Sequence, residues 1–309
     1  MRVLITGGAG FLGAALANRL VSEGHTVLVL DDFTSGDPRR LLPEVLLTRG
    51  DVKDIPKLWT LLQGVDCVYH LAARVRVQES IHYPSEYNNV NVGGTVALME
   101  AMRDTGVRRV VFASSGALYG EQEHQPIHEQ QMPNPNSPYG VSKIAAEYYI
   151  YTLGALYNIE SVSLRIFNAY GPGQDLPPSY PPVIPQLFKQ VQSGGSLVIF
   201  GDGTQTRDFV YVDDVVEALL LAATAVNVNR AVINIGSGQE VSINELAAMV
   251  GRITGKRVNV LYNRRQSYGV SRLVADVRLA QKLLGWTPRT SLEEGLRQIL
   301  ECDPRFRSN

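Results

Sequence analysis

Apolar residues in the first half of the chain fall into two alternating kinds of segment. Short runs, apolar at nearly every position and rich in β-branched residues, occur at "RVLITG", "HTVLVLDD", "EVLLTRGD", "DCVYHLAA", "VRRVVFASS" and "IESVSLRIFN". Between them lie longer stretches with helical spacing: "FLGAALANRLVSEG", "DIPKLWTLLQG", "YNNVNVGGTVALMEAMRDTG" and the segment opening at "SPYGVSK". Strands without a polar face are covered on both sides, and strands separated by helices run parallel. The pattern predicts an α/β fold with a doubly wound parallel sheet. In "SPYGVSK", Ser137 fits a helix N-cap and Pro138 the first helical position, where its missing N–H costs nothing.

The rhythm changes after Asn168. "AYGPGQDLPPSYPPVIPQ" is dense in Pro and Gly and reads as loop. The signals beyond it are shorter and less regular, although "SINELAAMVGRITG" starts with a capping-box pair, Ser242 and Glu245. We expect two lobes. Residues 1–167, rejoined by parts of 208–236, form a Rossmann-type domain; 168–309 form a smaller mixed α/β lobe packed against it, with a cleft between.

Composition narrows the choice. The chain is 45% hydrophobic and 19% charged, with a formal net charge of -1. Near-neutrality gives no electrostatic reason to expect a nucleic-acid or membrane-surface partner. Its cysteines, Cys67 and Cys302, make no disulfide framework, and the scattered histidines suggest no metal. No apolar run reaches the roughly 18–20 residues of a membrane span. Met1-Arg2 leads straight into the first strand with no signal segment ahead, so a cytoplasmic location is expected.

Chemistry enters at "VLITGGAGFLG". Gly7, Gly10 and Gly13 stand directly after a strand and at a helix start. That turn lets backbone N–H groups and the helix N-terminus meet a pyrophosphate. Asp31 ends the second strand, where an acid accepts hydrogen bonds from the adenosine ribose and repels a 2′-phosphate. NAD is therefore favoured over NADP. Asp51 and Val52, after the third strand, fall near the adenine position. In "VFASSGALYG" the apolar strand gives way to small polar residues at Ala113-Ser114-Ser115, the sheet edge at which such folds bind ligands. Tyr139 and Lys143, four apart, share a helix face.

Taken together, "TGGAGFLG", "HLAA", "SSGALYG", "SPYGVSK", "RIFNAYGPGQ" and "GDGTQTRDFVYVDDV" resemble the extended short-chain dehydrogenase/reductases, and among them the nucleotide-sugar 4-epimerases. The resemblance covers nearly the whole chain in order. It implies Tyr139, Lys143 and Ser115 as the catalytic set, with tightly held NAD and a transient 4-keto sugar. Around NAD it puts Gly7, Gly10, Phe11, Leu12, Gly13, Asp31, Asp32, Thr34, Ser35, Gly36, Asp51, Val52, Leu71, Ala72, Ala73 and Phe167, besides Tyr139 and Lys143. Around a UDP-sugar it puts Ser115, Tyr139, Asn168, Leu197, Val198, Phe200 and Arg207. A free tyrosine, with a pKa near 10, is a poor base at neutral pH, and a nearby ammonium such as that of Lys143 is expected to lower it.

The sequence also departs from the family. The usual Arg-Pro-Gly-Asp is replaced by "NRRQSYGVSRLVAD", leaving Arg264, Arg265 or Arg272 to grip phosphate. The position that gates sugar size falls at Leu273, so hexose, N-acetylhexosamine and uronate stay open. Arg74 and Arg76 are expected in salt bridges rather than on the sugar, and His70 in a structural role. A 4,6-dehydratase needs an acid pair after its catalytic hydroxyl residue, and here Gly116 and Ala117 follow Ser115. A UDP-glucuronate decarboxylase, a reductase and a non-catalytic binding module remain as alternatives. In the family the Tyr139 helix and the one from about Tyr87 to Arg103 pair with their copies, which implies a homodimer.

Overall fold

A computed structural model describes residues 1–256, 259–263 and 269–307. Along the chain come β1 (Arg2–Thr6), β2 (Thr26–Asp31), β3 (Leu46–Arg49), β4 (Cys67–His70), β5 (Arg109–Ser115), β6 (Glu160–Ile166) and β7 (Asn168–Tyr170). They are followed by β8 (Leu197–Phe200), β9 (Thr206–Arg207), β10 (Phe209–Tyr211), β11 (Ala231–Ile235), β12 (Val241–Ser242) and β13 (Val260–Asn263). The helices are α1 (Phe11–Ser22), α2 (Ile55–Leu61), α3 (Val77–His82), α4 (Pro84–Tyr87), α5 (Gly94–Thr105), α6 (Pro138–Tyr157), α7 (Val183–Gln192), α8 (Val212–Thr224), α9 (Ile243–Thr254), α10 (Arg278–Leu284) and α11 (Leu292–Cys302). A π-helical turn, Asn88–Gly93, joins α4 to α5.

Seven strands make one sheet in the order β11-β6-β5-β4-β1-β2-β3, every neighbouring pair parallel. The order reverses between β1 and β4, the place where doubly wound sheets open a crevice at their carboxyl ends. Period-two alternation sorts the apolar residues onto two faces. Val3, Ile5, Val27 and Val29 pack with Leu16 and Leu20 of α1 and Leu219 of α8. Leu4, Leu28 and Leu30 pack with Leu58 of α2, Leu98 of α5 and Ile150 of α6. Of these seven strands only β3, at the sheet edge, leaves large apolar residues in solvent, Leu46 and Leu47. A separate core in the second half of the chain gathers Phe188, Leu197, Leu246, Leu296 and Phe306.

Both N-caps read from the sequence are present. Ser137 Oγ accepts from Gly140 N at 3.1 Å, and Ser242 and Glu245 form a reciprocal capping box. Cys67 is buried as a small hydrophobe. Among the described residues no helix is long and apolar enough to cross a membrane, and no group of three His, Cys, Asp or Glu is placed to hold a metal.

Candidate active site

The glycine turn between β1 and α1 is set by backbone contact. Gly7 has φ +71°, and a methyl there would come 2.7 Å from the Ala72 backbone. A methyl on Gly13 would come 2.2 Å from the carbonyl oxygen of Gly7. The turn is therefore closed against the chain leaving β4, Leu71-Ala72-Ala73, and only glycine fits at these two positions. Gly10 N-caps α1 without a side-chain cap, so Phe11 and Leu12 begin a helix whose first N–H groups face no side-chain acceptor from that cap. These features suit an anion at the helix N-terminus.

Asp31 sits buried behind the turn. Its Oδ2 accepts from Ala9 N at 2.9 Å and its Oδ1 from Phe33 N at 2.8 Å. Burial pushes its carboxyl above the ordinary value, against those two bonds. A methyl on Gly36 would approach Asp31 Oδ1 to 2.6 Å, so the loop Asp32-Phe33-Thr34-Ser35-Gly36 folds back over it. Asp32 Oδ1 holds Thr34 N at 2.8 Å inside the same loop. Val52 is buried at the head of α5, where a methyl on Gly94 would strike its Cγ1, and Asp51 is half exposed beside Lys53. The glycine, Asp31 and Leu71–Ala73 segments thus converge on one end of the sheet, and this cradle fits a dinucleotide.

The sequence-predicted Tyr139, Lys143 and Ser115 also come together there. Tyr139 is 7% and Lys143 3% exposed. The Tyr139 amide donates to Ser80 Oγ at 3.1 Å, and its ring meets Tyr87 edge-on at 6.4 Å. The Ser115 hydroxyl accepts from Ala117 N at 3.2 Å and lies near enough to the Tyr139 side chain to act on its phenol. Phe167 stacks its ring on the backbone of Gly116, just past Ser115.

Without the cofactor's positive ring, burial pushes the Tyr139 phenol up, and the influence that opposes it comes from Ser115. The Lys143 ammonium is spent elsewhere: it donates to the Ala113 carbonyl at 2.6 Å and lies 4.6 Å from the Phe112 ring centroid. Burial brings its own pKa down to about 7, opposed by the Glu147 carboxylate. Removing both groups from water disfavours phenolate and ammonium alike.

Sequence reasoning missed the residues that hold this set. Asn91, in the π turn, accepts from Arg74 N and donates to the Arg74 carbonyl and to Ser142 Oγ, at 2.8, 3.0 and 2.8 Å. Ser142 in turn donates to the Tyr139 carbonyl at 2.8 Å. A polar Asn in an otherwise helical stretch was the available signal. His70 is structural, as expected: it lies between Thr6 and Thr95 hydroxyls at 2.7 and 2.8 Å, and burial brings its pKa down to about 3. Arg74 pairs with Glu86 at 2.8 Å and Arg76 with Glu79 at 3.7 Å, both as expected.

On the other side of the sheet edge, Asn168 donates through Nδ2 to the Asp208 carbonyl at 3.1 Å. Arg207 is half-buried, and burial holds its guanidinium below the ordinary value against the pull of the Glu121 carboxylate. It does not pair with Asp208, whose carboxylate is filled by Ser237, Gly238 and Ala275. Its Nη1 donates instead to the Thr206 carbonyl at 2.6 Å. Leu197 needs correction as a pocket-lining side chain. Strand alternation turns it, with Ile199, into the core, whereas Val198 and Phe200 face outward. Arg272 lies on the surface with both guanidinium arms on Glu240, at 2.6 and 2.7 Å. Leu273 packs near Phe167 and Tyr119. Arg264 and Arg265 lie outside the described residues.

Comparison with known proteins agrees with this arrangement. The sequence pattern of the NAD dependent epimerase/dehydratase family matches residues 3–236. The chain is 35% identical over 308 residues to a UDP-glucose 4-epimerase of Mycolicibacterium smegmatis, covering 97% of this chain and 98% of that one. Its fold superimposes with a TM-score of 0.94 on a UDP-glucose 4-epimerase of Thermotoga maritima crystallised with UDP-glucose, at 34% identity, covering 97% and 98% of the two chains. The TM-score is 0.89 against the Thermus thermophilus UDP-glucose 4-epimerase complexed with NAD, at 33% identity, covering 97% and 98%. Matched over that span and to relatives along nearly its whole length, the chain belongs to the NAD dependent epimerase/dehydratase family.

Proposed function

We propose that the protein is a UDP-hexose 4-epimerase that interconverts UDP-glucose and UDP-galactose, or their N-acetyl or uronate analogues, with its own tightly held NAD. The observation that carries the reading is the meeting of Tyr139, Ser115 and Lys143 beside the glycine cradle at the carboxyl end of β5. Bound in that cradle, NAD would supply reversible hydride chemistry at the sugar carbon. The protein's own residues handle the proton. With its phenolate favoured by the positive nicotinamide of bound NAD, Tyr139 would take the proton from the 4-hydroxyl and give it back, and Ser115 would bridge the hydroxyl and the phenol. Lys143 holds the ribose next to the nicotinamide. Asn168 and Arg207 carry the diphosphate, since a half-buried guanidinium that makes no described hydrogen bond to a carboxylate, with Glu121 acting only at longer range, suits a doubly charged group. Val198 and Phe200 line the uracil side.

In this reading residues 1–167, rejoined by 208–236, hold the cofactor and the rest of 168–309 holds the sugar nucleotide. The protein works in the cytoplasm as a homodimer. Support for the dimer comes from α6, which leaves Tyr148, Tyr149, Tyr151 and Leu156 exposed. The test is incubation of the purified protein, without added cofactor, with UDP-galactose, UDP-N-acetylgalactosamine and UDP-galacturonate separately, followed by proton NMR of the anomeric region. Conversion to a gluco partner is the expected result, and the relative rates name the sugar. No conversion, even with NAD supplied, overturns the reading.

A further inference from the structure

Helix α6 and strand β5 meet one residue at a time. Lys143 Nζ donates to the Ala113 carbonyl, Ser114 Oγ donates to Glu147 Oε2 at 2.7 Å, and Ser115 lies beside the Tyr139 phenol and acts on it. Tyr139, Lys143 and Glu147 follow one another at intervals of four and share a helix face. Ala113, Ser114 and Ser115 are consecutive at the strand's end. Glu147 and Ser114 are the members of this ladder to which the proposed chemistry gives no part.

Glu147 is 4% exposed and its carboxylate is fully engaged. Arg165 of β6 reaches Oε1 through Nη2 at 2.5 Å and Oε2 through Nε at 3.2 Å. Arg165 Nη1 donates to the Tyr119 hydroxyl, which donates to Asn234 Oδ1 of β11, both at 2.8 Å. Hydrogen bonds thus run without a break from α6 across β6 to β11. A buried ion pair is a costly way to fasten a helix to a sheet, because apolar residues of the same volume do so as well or better. Stability alone does not account for it here.

We propose that Glu147, held by Arg165, is a positioning residue for the reaction: it fixes the register of α6 on β5 so that Tyr139 meets Ser115, and it stands one turn from Lys143 as the counter-charge of the ammonium. The inference rests on the assignment of Tyr139, Lys143 and Ser115 made above. Few other charges compete. Facing Lys143 are Tyr139 on its own helix and His70 on β4, both kept neutral by burial near pH 7. Facing Glu147 from behind are Arg165 on β6 and Tyr119 after β5, whose phenol burial pushes up to about 12. Glu129 stands farther out, on the Asn234 amide.

Two variants test it, Glu147→Gln and the double change Glu147→Gln/Arg165→Met, which removes both charges and folds even where the single change does not. Each is measured as holoenzyme for kcat, KM and their pH dependence, and for the titration of the Lys143 side chain by NMR of [13Cε]lysine. The expected loss is about 10–100-fold in kcat with KM within about twofold, as for a misplaced catalytic group. The alkaline limb of kcat and the Lys143 titration should both move to lower pH by about one unit in Glu147→Gln. A folded double variant with the parent's kcat and the parent's Lys143 titration would reduce the pair to a structural fastening and overturn the proposal. Because the titration needs no substrate, a shifted Lys143 in a protein that epimerises nothing would support the positioning role while refuting the sugar assignment.

Discussion

Around Gly13 the chain is fitted by backbone: a single added methyl would lie 2.2 Å from the Gly7 carbonyl oxygen. Around Arg207 the fit is made by side chains on strands of two or three residues, each held by one or two hydrogen bonds. The two regions lie at the same sheet edge and are assigned to the two ends of one reaction. The first is specified by steric exclusion, which leaves almost no choice of residue. The second is specified by where a charge is left without a carboxylate, which depends on what the neighbouring acids do. Asp208 and Glu240 lie close to the candidate arginines, yet Asp208 is saturated by N–H and O–H donors and Glu240 is taken by Arg272. Arg207 thereby makes no described hydrogen bond to a carboxylate and feels Glu121 only at longer range, whereas Arg272 is paired.

Mutations can break this comparison in order of size. Tyr139→Phe removes the proton carrier and leaves both regions standing. It should lower kcat by about 10²–10⁴-fold, with NAD content and UDP-sugar affinity unchanged. Turnover at the parental rate would refute Tyr139 as the base. Gly13→Ala attacks the backbone-fitted region, where overpacking costs about 1–3 kcal/mol. The purified variant should melt lower and carry less than about a tenth of the parent's NAD, measured by releasing and quantifying the nucleotide. Full NAD occupancy would show that the turn tolerates the methyl and is not the cradle.

The side-chain region is tested more gently. Arg207→Ala should raise KM for the UDP-sugar about 10–100-fold, the worth of a charge-assisted hydrogen bond of about 1.5–3 kcal/mol, and leave NAD content untouched. Arg272→Ala should change KM by less than about twofold, since an exposed pair with Glu240 contributes little. If Arg272 proved the larger of the two, the assignment of the phosphate arginine would be reversed.

How much of this was legible in the sequence follows the same division. Strands β1, β2, β4 and β5 declared themselves because both faces are buried and their centres are apolar runs. Strand β6 is buried along its length although Ser161, Ser163 and Arg165 alternate with its apolar residues. The glycine turn, Asp31 and the Ser137-Pro138 helix start were equally plain, since each has a local steric or capping cause. Leu197 was misread because a strand of four residues gives too little period to tell its two faces apart. The choice between Arg207 and Arg272 was hidden because it turns on partners 30 or more positions away in sequence, such as the Arg272–Glu240 pair. The hydrogen-bond partner of Lys143 was hidden for another reason. Spacing on a helix shows that two side chains share a face, but not that the lysine will spend its charge on the carbonyl of Ala113.

The π turn at Asn88–Gly93 carries a consequence for any attempt to shorten or recombine this protein. Such a turn is an α-helix holding one residue too many, and each residue of a helix is about 100° of rotation. Deleting a single residue between Asn88 and Gly93 would heal the helix and raise its local regularity. The same deletion would swing Asn91 about a quarter-turn or more away from Arg74 and Ser142, loosening the backbone beneath Tyr139. Here the irregular version of the helix is the functional one, so a redesign guided by ideal geometry would produce a better helix and a worse enzyme.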